Sequence, residues 1–585
     1  MFIRLRKMNK RTLFAGVVLL YTGLLSCSKN QQSFSGAYKD AVLSPVKFLA
    51  TQPVPGSGIA GVQVKFKLVG ADYLKGLPAN ELQFFLNGVE APIDELSPAD
   101  SSILVTVPEN ASSGAATLVV GDRIFFGPQF RVNGDVWFDS TFNRQGTDQQ
   151  GNAIMGSGVN GAITDIHYEE FGATKNIYIM GLFTSFNGEP AYTATANGAT
   201  ASSNVRYMLK LDPVTGLIKG DFTKGEGPNG ALTGLLPLTR FPGFLIYGGF
   251  SRYNERDGVN NMTRIYEDGK LDSIVQNVYN PNPLETQYNV DTLPAFIGGF
   301  NGGVLRAFID KKQRIISVGN FRYHNKNLYN QSTYFNVVRE LTYLKDIGAT
   351  DQDGNLDTTY NYDRTRGQLY KGANAPINDA VQVRDGNSPY GKIIVVGKFT
   401  AFNGIPVPRI MRLDDNGQPD PGFQASANGE ITRITYNSTT RRLMVVGSFT
   451  QFNGVATPNG VIMLHEDGAT DMGFQTREMT RATSAAGQLI TYAAQMNDGK
   501  VIVSGSFEKY KSSNNVFVTR QGFMILDETG ELVPGMNNTG AFSGEITDML
   551  ETLSGSKKAL ILVGRFGLFD NMEVGNMVRI GLEPK

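Results

Sequence analysis

Ile393-Ile394-Val395-Val396-Gly397-Lys398-Phe399-Thr400-Ala401-Phe402-Asn403-Gly404 returns nearly unchanged as Leu443-Met444-Val445-Val446-Gly447-Ser448-Phe449-Thr450-Gln451-Phe452-Asn453-Gly454. The apolar run is rich in β-branched residues and bounded by turn residues, which predicts a short strand buried on both faces. The glycine lets two backbones approach closely, and the phenylalanine after it fills space between neighbouring sheets. Asn-Gly permits the positive φ angles of a tight hairpin.

Working outward, the apolar run followed by glycine and phenylalanine recurs at Ile177–Phe183, Leu245–Phe250, Ile315–Phe321, Val501–Phe507 and Ile561–Phe566, which makes seven copies in all. A glycine-led strand precedes it, as in Gly161–Ile166, Gly429–Ile434 and Gly544–Met549. A strand with an acidic turn follows, as in Met411–Gly417 and Met463–Gly468, and then Asp-x-x-Phe at Asp420–Phe423 and Asp471–Phe474. About four short strands per repeat is the content of a propeller blade. The last copy stops at Leu582 without its Asp-x-x-Phe segment, which occurs instead at the front, in Val136–Phe142. A ring closed by that N-terminal strand leaves no exposed sheet edge. The repeat resembles the delta-sixty type of bacterial β-propeller repeat. Its first three copies depart through long insertions and its seventh through Leu568-Phe569-Asp570-Asn571.

Lys+Arg and Asp+Glu both number 54, so the chain has no basic excess with which to displace counterions from phosphates, and a nucleic-acid partner is not expected. With 67 glycines, 10% aromatic and 18% charged residues, the 585-residue composition suits a turn-rich all-β protein of more than one domain.

Residues 1–26 read as a leader. Arg4, Arg6, Lys7, Lys10 and Arg11 precede an apolar stretch from Leu13 to Leu25 that is short for a membrane span. Leu24-Leu25-Ser26-Cys27 resembles a bacterial lipobox, which implies a diacylglycerol-bearing lipid on Cys27, the single cysteine. Ser28 in place of an aspartate implies sorting to the outer membrane, with the cell surface and the periplasmic face both open. Residues 27–40 read as a flexible polar tether.

Residues 41–133 alternate apolar and polar positions in Val62–Leu68, Leu82–Leu86, Ile103–Val107 and Ala116–Val120, as in a β-sandwich. Ser44-Pro45, Gly61-x-x-Val64-x-Phe66, Asn87-Gly88, Val105-Thr106-Val107-Pro108 and Ser113-Gly114 resemble an IPT/TIG domain, an immunoglobulin-like module. The resemblance implies a spacer or docking role. The fold expected is therefore all-β: an Ig-like sandwich followed by a seven-bladed propeller over residues 134–585.

No catalytic constellation stands out, and none is expected. His167, His324 and His465 sit in different repeats at unrelated positions, and Cys27 is the single thiol, so neither a metal site nor a cofactor beyond the lipid is expected. Asp351–Asp357 looks superficially like a calcium loop. Its first ligand position would fall on Ala349, and Asp-Gly recurs here as a turn, so the segment reads as a hairpin. The better clue is the insertions at 189–204, 272–298 and 324–366. They carry Tyr279, Tyr288, Tyr329, Tyr334, Tyr343, Tyr360 and Tyr362 as candidate ligand-binding residues.

The whole arrangement resembles accessory lipoproteins of SusC/SusD-type nutrient uptake. That implies a non-enzymatic outer-membrane lipoprotein that binds a glycan or peptide, or docks on a TonB-dependent transporter and its lipoprotein partner. Two alternatives stand beside it. Carboxylates converging on the central channel would favour a polysaccharide hydrolase or lyase. Insertions packed down without a groove would favour a structural envelope scaffold.

Overall fold

The computed structural model describes residues 45–585 apart from 172–173, 197 and 482–487. The expected leader, Cys27 and the tether lie outside the described residues.

Residues 45–132 form two sheets around one core. One sheet orders Lys47–Phe48, Gln63–Val69, Ser102–Thr106 and Ile93–Ser97. The other orders Ser57–Gly58, Arg123–Val132, Gly114–Val120, Leu82–Leu86 and Val89–Ala91. Alternation turns Val64, Phe66 and Leu68 inward, where Phe66 meets Phe84 at 5.0 Å between ring centroids. Asn87 and Gly88, at φ 44° and 77°, make the tight turn after Leu86.

Beyond it, seven antiparallel sheets share one plan of inner, middle and outer strand. The inner strands are Ile163–Phe171, Leu232–Pro237, Val304–Ile309, Ile377–Gln382, Ile431–Asn437, Ile490–Gln495 and Ser543–Ser554. The middle strands are Thr174–Gly181, Gly243–Gly248, Ile315–Gly319, Ile393–Gly397, Arg442–Gly447, Val501–Gly505 and Lys557–Phe569. Each inner strand packs against the next, and the seventh returns to the first, so the sheets form a closed ring. Trp137–Phe138 pairs with the last outer strand, Met577–Gly581, in the register Trp137↔Gly581. In the fourth and fifth sheets the corresponding edge contact is one bridge, Leu413↔Pro419 or Leu464↔Thr470. There the chain folds over its own aspartate, with Gly422 N donating to Asp420 Oδ1 (2.9 Å), and ladder pairing stops.

Three repeated devices hold the ring. Middle strands such as Ile393–Gly397 are buried along their whole length, each large side chain contributing roughly 1.5–3 kcal/mol of hydrophobic stabilisation. Their terminal glycine is obligatory. A Cβ at Gly397 would lie 2.4 Å from Pro376 O, and one at Gly447 would lie 2.2 Å from Glu430 O. Opposite that glycine every inner strand is bulged.

The asparagine of Phe-Asn-Gly does more than turn. Asn187, Asn254, Asn403 and Asn453 all adopt positive φ. Their side-chain oxygens accept the backbone N–H of Gly158, Gly227, Gly372 and Ser426 at 2.7–2.9 Å. In the divergent seventh copy Asp570 takes this place and accepts from Gly540 N at 2.7 Å.

In the fourth and seventh sheets an outer-strand arginine binds the aspartate of an Asp-x-x-Phe motif and stacks on the aromatic ring of the same motif. Arg412 pairs with Asp420 (2.9 Å) and covers Phe423 (5.2 Å). At the closure Arg579 pairs with Asp139 (2.7 Å, side chains 2% and 1% exposed) and covers Phe142.

The two-sheet unit is seated on the ring by polar contacts. Ser113 donates through both N and Oγ to Asn538 O (2.9 Å each), and Asn538 Nδ2 donates to Val132 O and Val136 O. Arg520, buried without a carboxylate partner, donates to Asn110 O (3.3 Å), and burial holds its guanidinium well below its ordinary pKa.

Candidate functional site: the channel and the insertion face

The bulge on each inner strand sets one residue toward the axis. Along the ring these are Asp165, Gly234, Arg306, Asp379, Arg433, Tyr492 and Asp548. Six of them, all but Gly234, line a channel cavity of ≈ 340 Å³. The residue before the bulge staples neighbouring sheets. Thr164 Oγ1 donates to Leu232 O (2.7 Å), Asn378 Nδ2 to Ile431 O (2.8 Å) and Thr547 Oγ1 to Ile163 O (2.6 Å), the last across the closure.

Carboxylates do converge here, but each has a partner. Arg306 Nε meets Asp379 Oδ1 at 3.1 Å, and that neighbour raises the arginine's pKa further. Asp379 also accepts from Ala380 N (3.0 Å) and, across to the next sheet, from Ile434 N (3.3 Å). Asp548 repeats that pattern with Met549 N (2.8 Å) and Ile166 N (3.3 Å). Asp165 keeps part of its surface open to the channel although protein surrounds it. Burial, reinforced by the negative Asp548 beside it, pushes its carboxyl far up. Arg433 donates to Thr547 O (2.6 Å) and lies over Tyr492 (5.7 Å).

The insertions of the second and third sheets form a face of a different character. Two hairpins, Ser273–Asn277 with Val290–Pro294 and Tyr323–Asn327 with Arg339–Tyr343, join through a small core of Val278, Leu293 and Tyr329. Tyr288, Tyr334 and Phe335 cluster with centroids 5.0–5.2 Å apart, and Phe335 is 75% exposed. Tyr343 is exposed and packs edge-on to Tyr323 (5.6 Å). Tyr279 is exposed, with its backbone N–H bound to Ser332 O (2.7 Å).

The seven candidate tyrosines are thus not one group. Tyr288 and Tyr334 come together, while Tyr279 and Tyr343 are exposed on the same two hairpins. Tyr362 is half-buried against the second and third sheets. Tyr329 is buried, its hydroxyl donating to Pro294 O (2.7 Å). Tyr360 is buried beneath the Arg314 guanidinium, which pairs with Asp357 (3.0 Å). Asp357-Thr358-Thr359-Tyr360 is the Asp-x-x-Phe motif with tyrosine in the aromatic place, a signal present in the sequence. Phe335 and the channel ring were the residues the sequence did not single out.

Among the described residues no group of three or more His, Cys, Asp or Glu is placed to hold a metal. His324 is buried beside Gly354 O (3.1 Å), its pKa lowered to about 4 by that burial. Asp351 folds its own turn, accepting from Asp353 N and Asn355 N.

Residues 391–423 match a family model described as "Domain of unknown function (DUF5122) beta-propeller". The ring is a β-propeller. No curated protein matches the chain. Among solved structures it is similar to an auxiliary nutrient binding protein from Bacteroides thetaiotaomicron (10% identity, TM-score 0.24, 93% of this chain and 99% of that one). It is similar to another from Bacteroides ovatus (11%, 0.24, 92% and 97%) and to the gluconolactonase XC5397 from Xanthomonas campestris (14%, 0.23, 60% and 99%). Likeness at these TM-scores carries no argument about ligand or activity.

Proposed function

We propose that this propeller is a non-enzymatic binding module: an outer-membrane lipoprotein anchored through Cys27, with an IPT/TIG-type sandwich carrying a seven-bladed ring. Its task is to take a glycan or peptide, or to dock on an uptake transporter, through the insertion face. The observation that carries this reading is the Tyr288–Tyr334–Phe335 cluster, large aromatic surface left in solvent on a rigid framework. Aromatic rings of this kind stack on sugar faces or bury against peptide side chains.

The test is to extract the full-length protein from its native membrane with detergent. Radiolabelled palmitate should enter the wild type and not Cys27→Ser. A TonB-dependent transporter should copurify, or the pure protein should retain an oligosaccharide or peptide, and a Tyr334→Ala/Phe335→Ala variant should lose that association. A solitary protein that cleaves polysaccharide would sink the reading.

One observation favours the hydrolase alternative: three aspartates face the channel. Asp548 accepts from the backbone N–H of Met549 and, in the neighbouring sheet, of Ile166, and burial beside it pushes the Asp165 carboxyl far up. The third is bound to Arg306. Asp379 and Asp548, each accepting from a backbone N–H of the neighbouring sheet, have a framework role.

A further inference from the structure

Where the third sheet's insertion meets the Phe-Asn-Gly hairpin of the fourth, a groove of ≈ 510 Å³ opens. Its charged lining is Arg322, Lys345, Arg366 and Lys371 against a single acid, Asp363, in a chain whose net charge is zero. These cations are not equally occupied. Lys345 is tied to Asp346 (3.3 Å) and to the carbonyl of Ala373. Arg366 reaches Asp363 at 3.6 Å, too long for a hydrogen bond, and Asp363 is already accepting from Thr365 N and Arg366 N. Arg322 and Lys371 are exposed, and among the described residues neither has a side-chain hydrogen bond or ion pair. The backbones beneath them are fixed. Asn301 Oδ1 accepts from Arg322 N (2.8 Å), and Asn403 ties down Gly372, next to Lys371. Tyr343 and Tyr370 add aromatic surface, and Gln368 adds an exposed amide.

We propose that this groove binds a carboxylated sugar chain, with a uronate carboxylate on Arg322 and Lys371 and a sugar ring against Tyr343. Guanidinium and ammonium donors without partners, carried on a fixed backbone, favour an anion, and a planar carboxylate matches the guanidinium fork. The neighbouring tyrosines and amide favour a hydroxylated ring over a bare inorganic anion. This deepens the insertion-face reading and rests on it.

The experiment is calorimetric titration of the full-length detergent-solubilised protein with tetragalacturonate, with cellotetraose as the neutral chain and tetraglutamate as the acidic peptide. Tetragalacturonate should bind, weaken with added salt, and weaken about tenfold in each of Arg322→Ala and Lys371→Ala. Both side chains are exposed, so the variants should melt with the wild type. Arg123→Ala, at an exposed cation of the two-sheet unit outside the groove, should leave that affinity unchanged. Equal binding of cellotetraose, preference for tetraglutamate, or indifference to both cation variants would overturn the uronate groove while leaving the general binding reading intact. Binding of none of the three, together with no retained ligand or transporter in the native extract, would bring down both.

Discussion

The ring and its insertions follow opposite rules. In the ring, almost every polar side chain near the repeat signature has a partner, and the same bond returns from sheet to sheet: asparagine to a distant backbone N–H, aspartate to arginine, threonine to the next inner strand. In the insertions, Phe335, Tyr334 and Tyr279 stand in water, and beside them Arg322 and Lys371 have no ion pair among the described residues. The difference teaches where stability and recognition are stored. A repeated position is constrained by its neighbours on both sides, whereas an insertion needs only a small core of its own.

The contrast breaks most severely at the closure. Arg579→Met leaves Asp139 buried and uncompensated, and should cost about 3–5 kcal/mol, read as a fall in the urea midpoint. Asn453→Ala removes the acceptor for Ser426 N and puts alanine at φ 49°, and should cost roughly 2 kcal/mol in the same assay. Asp570→Asn restores the repeat's usual residue at an equivalent bond and gives up a 3.5 Å ion pair with the half-exposed Arg131, so its midpoint should move by less than about 1 kcal/mol.

The channel gives a pH signature of its own, set by Asp165. Asp165 carries a raised folded pKa, so protons stay on the native state after the unfolded chain has released its own. The stabilisation that Asp165 contributes is therefore fully present below the ordinary carboxylate pKa of 3.8 and is lost as pH rises through the folded value. Asp548→Asn removes the repelling charge and should flatten the decline between mildly acidic and neutral pH, measured by melting temperature. A decline as steep as the wild type's would show that the pair is not its source.

The smallest change belongs to the insertion face. Tyr334→Ala/Phe335→Ala should leave the urea midpoint within about 0.5 kcal/mol of wild type while removing the proposed association. A large loss of stability there would show that the cluster is framework after all.

Much of the ring was legible in the sequence because its signals are local: a β-branched run, a glycine, an Asn-Gly turn. The partners of those signals were not. Asn403 reads as a turn residue, yet its side chain serves Gly372, across a long stretch of chain. The channel residues stayed hidden because their common position holds Asp, Gly, Arg or Tyr, and a position defined by a bulge has no residue signature. Tyr360 reads as an insertion residue because tyrosine replaces the motif's phenylalanine. Tyr329 reads the same way because burial inside an insertion depends on a second hairpin meeting the first. The exposed cluster of Tyr288, Tyr334 and Phe335 was half visible, as a local excess of aromatics.

The pairing of Trp137 with Gly581 also sets a timetable. The closing strand is made long before its partner. Until then the seventh sheet lacks its edge, and the first sheet lacks the neighbour whose Thr547 staples Ile163. Ring completion is thus the contact of greatest sequence separation, and it should be the slowest step in folding, with unpaired edges exposed while it waits.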